Sequence, residues 1–149
     1  MYTVQQRSAR RLLAVMAVLM AVLFTSCKGS QPRLTIENVH AEYSPAMRDE
    51  AAVYLLIRNE GGKDTLTSAR IDIPGASAGI HEMRGGMMII TNALKIPAKS
   101  TIELGPMGSH IMLNNMPGAV KEGSRFTLTL VFARSGEIQA PVEFVKPRS

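Results

Sequence analysis

Residues 51–75 read AAVYLLIRNEGGKDTLTSARIDIPG, and the two halves of that stretch decide the fold. The first half is a dense apolar run that stops at Asn59-Glu60-Gly61-Gly62, and the second alternates apolar and polar residues until Pro74-Gly75. A period of two closed off by turn residues is the pattern of a strand with one buried face. The same pattern recurs on either side: RLTIEN at 33–38, STIEL at 100–104, RFTLTLVF at 125–132 and IQAPVEFV at 138–145. Gly105-Pro106, Pro117-Gly118 and Ser135-Gly136 separate these segments. No window carries an amphipathic helix long enough to organise a core. The sequence therefore predicts an all-β sandwich or barrel, with Greek-key connections rather than a simple meander. There are no internal repeats.

The 149 residues suit one domain, large enough to bury a core without staples. Ahead of it stands a different kind of segment. A basic stretch ends at Arg10-Arg11, thirteen apolar residues run from Leu12 to Phe24, and Thr25-Ser26 lead into Cys27. That order is the order of an export signal, and the apolar run is shorter than the roughly 20 residues a bilayer span requires. Cys27, the one cysteine in the chain, precedes the polar stretch KGSQPR. The junction resembles the cleavage and lipidation site of bacterial lipoproteins, with Phe24 where Leu is usual. The expectation is a signal peptide at 1–26, a lipidated Cys27, a polar tether at 28–33 and a folded domain at 34–147. Its location would be the bacterial cell envelope, anchored in the membrane and facing the periplasm. With one cysteine, no disulfide within the chain is available in that oxidising compartment.

The formal charge of +5 overstates the basicity of the domain. After Cys27 there are 14 Lys and Arg against 12 Asp and Glu. A balance this even gives no electrostatic footprint for nucleic acid.

One stretch stands out chemically. Residues 80–116, IHEMRGGMMIITNALKIPAKSTIELGPMGSHIMLNNM, hold two of the three histidines and six of the ten methionines. Each of those histidines has a methionine two places on, as His81-Glu82-Met83 and His110-Ile111-Met112. On a strand, residues i and i+2 share a face, about 6.5–7 Å apart. Two such pairs on neighbouring strands can surround one small ion. Gly85-Gly86 offers a tight turn that brings Met87 or Met88 back alongside His81. Soft, uncharged thioethers with borderline imidazoles select Cu(I) over Zn(II), Ca(II) or Mg(II). Thioethers also survive outside the cytoplasm, where a thiol pair tends to oxidise to a disulfide. Against this stands the ordinary use of methionine as a core gap-filler.

These residues resemble the periplasmic copper chaperone family PCu(A)C, whose motif joins a His-x-Met unit, a further Met and a second His-x-Met. Met88 and His110 enclose 21 residues, 89 to 109, which is the interval of that motif. AVYLLIRNEGGKDTLTSA, LKIPAKSTIEL and VKEGSRFTLTLVF are similar to further segments of the family. The interval between Met83 and Met88, occupied by Arg84, Gly85, Gly86 and Met87, is shorter than the family's.

The resemblance implies a cupredoxin-like Greek-key β-barrel or sandwich. It also implies His81, Met88, His110 and Met112 as Cu(I) ligands, with Met83 as a further candidate donor because of the shortened interval. A monomeric carrier follows, delivering copper to an apo recipient such as a cytochrome c oxidase subunit or exchanging it with another copper chaperone. No nucleophile, base and acid are arranged for catalysis, so an enzyme is not expected. Met87 is expected in the core or at the surface, Met107 and Met116 in packing or at the rim, and His40 as a structural or surface residue. Two other readings stay open on the sequence: a copper-buffering or resistance protein, and a metal-free β-sandwich interaction lipoprotein.

Overall fold

The computed structural model describes residues 29–43, 49–118 and 120–146, so the signal segment and Cys27 lie outside the described residues. The described residues form ten strands: β1 (Leu34–Tyr43), β2 (Ala51–Asn59), β3 (Asp64–Ile71), β4 (Ser77–Arg84), β5 (Met87–Thr91), β6 (Leu94–Ile96), β7 (Ser100–Leu104), β8 (His110–Asn114), β9 (Arg125–Phe132) and β10 (Gly136–Val145). Among the described residues no helix is long and apolar enough to cross a membrane.

The strands lie in the order β5-β4-β8-β2-β1-β10-β9-β3-β6, with β7 also paired to β2. The chain is not a meander, because it leaves β2 for the far side of the sheet at β3 and returns at β4. Every pairing is antiparallel except β1 with β10, where Ala41 meets Phe144 and Glu42 meets Val145. That parallel seam joins a β5-β4-β8-β2-β1 half to a β10-β9-β3-β6 half, and the sheet curls around one core into a nearly closed barrel.

Alternation dictates what enters that core. In β2 the residues Ala51, Val53, Leu55 and Ile57 are buried while their neighbours face out. β9 contributes Phe126, Leu128, Leu130 and Phe132 in the same way, and β8 contributes Ile111 and Leu113. Each fully buried Leu, Ile or Phe stabilises the fold by about 1.5–3 kcal/mol relative to exposure. Met116 is also inside, 4% exposed, as a packing residue. Pro141 sits in β10 where that strand pairs with β9 and has not yet reached β1, so its missing N–H breaks no ladder bond to β1.

Two bulges depart from simple alternation. The register of β1 against β2 shifts between Glu37 and His40, where Asn38 adopts a φ of 55°. Asparagine tolerates that left-handed conformation, so the strand continues to Tyr43 although the sequence pattern stops at Asn38. In β3 a shift between Leu66 and Ser68 lets Leu66 and Ala69, three apart, both reach the core.

Candidate metal centre

The centre is assembled from β4, β5 and β8. β4 and β5 form a hairpin whose two-residue turn is Gly85-Gly86, with φ of 59° and 82°. Two successive positive φ values are the requirement of a type I′ turn, which glycine meets without strain. The turn fixes the register: Arg84 faces Met87, Met83 faces Met88, and His81 faces Ile90. On its other side β4 pairs with β8, placing His81 directly across from His110 and Gly79 across from Met112.

Directly paired residues of an antiparallel ladder share a face, as do residues two apart along a strand. The register therefore puts His81, Met83, Met88, His110 and Met112 on one side of the sheet. It is the outward side, since Ile80, Ile111 and Leu113 between them are buried in the core. Met87 falls on the opposite face beside Arg84 and is 68% exposed. Glu82 also turns away, its carboxylate accepting from Arg84 Nη2 at 2.7 Å.

The two imidazole ring centres are 5.3 Å apart with their planes inclined at 54°. A metal–nitrogen bond of about 2.0–2.1 Å places two ring centres at a tetrahedral angle roughly 5 Å apart, so the spacing suits a shared ion. His110 Nδ1 lies 3.1 Å from the carbonyl oxygen of Gly108. A carbonyl only accepts, so Nδ1 carries the proton and Nε2 keeps its lone pair. His81 has its pKa pushed below the ordinary imidazole value, first by burial and then by the nearby His110, with Glu50 pulling weakly the other way. Both effects favour the neutral ring that donates to a metal. The sulfur-bearing Met83 and Met88 are each 40% exposed.

Among the described residues no three His, Cys, Asp or Glu side chains converge on a point that would hold an ion. An ion on this face would need the neighbouring thioether sulfurs to complete a shell of more than two protein donors. Soft donors with two imidazoles are what the arrangement offers.

Several neighbours escape sequence reasoning. Tyr54 of β2 packs edge-on against His110, with ring centres 6.4 Å apart, and against His40 at 5.6 Å. Ser109 Oγ accepts from the Met83 backbone N–H at 3.3 Å, tying the loop before β8 to the hairpin. Nothing local marks Tyr54, Gly108 or Ser109, because their roles come from strand pairing. His40 lies beyond Tyr54, with Nδ1 donating to Asn38 O at 3.1 Å and Nε2 3.7 Å from Glu42. Met107 is 91% exposed on the turn before β8.

The sequence matches the family described as putative lipoprotein LpqE-like across residues 34–144. No curated protein matches it. Among solved structures, the apo PCuAC domain from PmoF1 is 25% identical with a TM-score of 0.65, covering 76% of this chain and 94% of that one. The copper-bound PCuAC domain from PmoF2 is 22% identical at a TM-score of 0.63, covering 76% and 93%. The copper(I) form of DR1885 from Deinococcus radiodurans is 20% identical at 0.62, covering 84% and 85%. These likenesses show that the barrel is the PCuAC fold.

Proposed function

The chain belongs to the LpqE-like family of putative lipoproteins, and from that premise and its PCuAC fold we propose that it is an exported carrier of copper(I). The observation that carries this reading is the direct pairing of His81 with His110 on an outward face that also presents Met83, Met88 and Met112. The copper-bound PmoF2 domain and the copper(I) form of DR1885 share the fold and support the choice of ion. In this reading His81, His110, Met112 and Met88 hold the ion, and Met83 stands as an alternative sulfur next to Met88. Copper is cargo here, and the protein is a binder rather than an enzyme.

The finer parts of the proposal are anchoring and destination. Cys27 carries the lipid, the domain faces the periplasm, and the ion passes to an apo copper protein such as a cytochrome c oxidase subunit. Titration of the mature chain with Cu(I) against a competing chelator tests the site, with X-ray absorption reading the donor atoms. A shell of nitrogen and sulfur supports it. A chain that retains no Cu(I), or a shell without sulfur, removes it. Transfer to an apo oxidase domain tests the destination, and retention of the ion under those conditions would identify a copper buffer instead.

A further inference from the structure

Three turns gather at one end of the barrel, β2–β3, β6–β7 and β9–β10, and the start of the domain is bound among them. Gly62 N–H donates to Gln31 O at 2.9 Å, Glu60 N–H to Arg33 O at 2.9 Å, and Lys99 N–H to Gly61 O at 3.3 Å. Asn59, 2% exposed, ties the same turns together by donating to both Gly62 O and Pro97 O at 2.8 Å. Arg134, on the β9–β10 turn, donates to Lys63 O at 2.7 Å and reaches Ser30 O at 3.3 Å and Gly29 O at 3.4 Å. The chain from Gly29 to Arg33 is thus laid across this end. Its fit over the glycines is close: a Cβ on Gly61 would meet Gln31 O, and one on Gly62 would meet Ser30 O.

This end is also where free positive charge collects. Arg33, Lys63, Lys95, Lys99 and Arg134 are all exposed. Among the described residues none of the five forms an ion pair, whereas Arg58, Arg70, Arg84 and Arg125 each hold a glutamate. Of the acids at this end, Glu60 follows Asn59, Glu137 is held by Arg70, and Asp64 is 5% exposed with both carboxylate oxygens occupied by hydrogen-bond donors. A domain close to neutral overall therefore carries a concentrated cationic face where its N-terminal segment is held.

We infer that this face docks on an anionic bilayer surface, with the five cations meeting lipid phosphate groups. The inference rests in part on the lipidated Cys27 proposed above, since a single residue, Lys28, separates Cys27 from Gly29, a span of at most about 7 Å. A lipid at Cys27 would hold this end within one Debye length of the headgroups, where each Lys or Arg adds attraction. Because Gly29–Arg33 is bonded down, the short link fixes which end of the barrel faces the membrane. The anchor supplies attachment and the cations supply orientation.

The test separates the surface from both the lipid and the copper. The unacylated mature chain from Cys27, with its thiol alkylated, carries all ten strands and is mixed with vesicles of phosphatidylglycerol in phosphatidylcholine, or of phosphatidylcholine alone. Binding is read by co-sedimentation. The expected result is binding to the anionic vesicles that fades as salt is raised. Lys63→Glu/Lys95→Glu should weaken it by roughly fivefold per lysine. Lys121→Glu/Lys146→Glu makes the same charge change at the opposite end, where Tyr43 Oη donates to Val120 O and Glu42 pairs with Val145. That control should bind nearly as the parent does. Equal losses from the two double variants would reduce the effect to net charge and overturn the inference, as would equal binding to both vesicle types. Circular dichroism spectra of both variants that match the parent's confirm that the fold is intact, whether or not copper binds. Failure of lipidation would appear separately, in the membrane fractionation of Cys27→Ser cells.

Discussion

Met83 stands directly across from Met88 in the β4–β5 ladder, and each sulfur-bearing side chain is 40% exposed on the face that holds His81 and His110. Met87, one residue earlier in β5, faces Arg84 on the other side. Replacing methionine by leucine keeps volume and apolarity while deleting the sulfur. Met88→Leu should lower Cu(I) affinity more than Met83→Leu, and the double variant more than either, by at least the 10–100-fold typical of damage to a metal site's supporting shell. Met87→Leu should bind as the parent does. Competition with a chelator measures all four, and a damaging Met87→Leu would refute the register argument.

The hairpin turn gives a second prediction. A Cβ at Gly85 or Gly86 meets no atom within 4 Å, so alanine there costs only its positive φ. Gly85→Ala and Gly86→Ala should each destabilise the protein by about 1 kcal/mol in chemical denaturation. Cu(I) affinity should fall in parallel, because the turn sets which sulfur reaches the face. Loss of stability with unchanged affinity would show that the hairpin register does not govern the site.

A third prediction concerns acid. His81 has a folded pKa below its ordinary value, so the folded chain holds fewer protons than the unfolded chain just below pH ~6.5. The stability it contributes is present above that pH and is lost as pH falls through the folded value. Copper competes for the same lone pair. Cu(I) affinity should decline as pH falls, and the part of that decline which His81→Gln removes should lie below the ordinary imidazole range. A His81-dependent part centred at or above the ordinary imidazole value would contradict the reading.

Asp64 offers a prediction away from the site. Burial alone would raise its pKa, but the Ser135 hydroxyl and the backbone N–H groups of Thr65, Arg134 and Ser135 outweigh that and hold it below the usual carboxylate value. Its stability contribution is therefore present above pH ~3.9 and is lost as pH falls through the lower folded value. Asp64→Asn, which replaces one accepting oxygen with a donor opposite Ser135, should destabilise by about 1–3 kcal/mol and remove that acid transition. Denaturation curves at neutral and acid pH measure both effects.

Anchoring is tested by Cys27→Ser. Without the sulfur no thioether-linked lipid forms, and the protein should leave the lipid-anchored membrane fraction for a soluble or uncleaved form. An unchanged fraction would mean that the attachment lies elsewhere.

Much of this was legible in the chain itself because period-two alternation is a local signal. Val53, Leu55 and Ile57, or Phe126, Leu128 and Leu130, announce a buried face without reference to any partner strand. The His-x-Met pairs are legible for the same reason, since i and i+2 share a side wherever the strand lies. That His81 would sit opposite His110 is a different kind of fact. It depends on β4 pairing with β8 across the 25 intervening residues 85–109 of β5, β6, β7 and loop, and no local pattern sets that register. Tyr54 stayed hidden because β2 reads as a plain apolar run. The extension of β1 past Asn38 stayed hidden because a bulge breaks the very alternation that marks a strand.

For the copper carrier proposed above, the outward placement of the two imidazoles has a consequence for release. Nothing would have to open: one side of the His81–His110 pair faces away from the core, with the side chains of Met83 and Met88 at its border. A donor atom on another protein could approach along the normal to the sheet and bond before an existing bond breaks. The ion would then change owner through an intermediate held by both proteins, without a period free in solution. Its dwell time would be set by which ligand arrives rather than by internal breathing of the barrel.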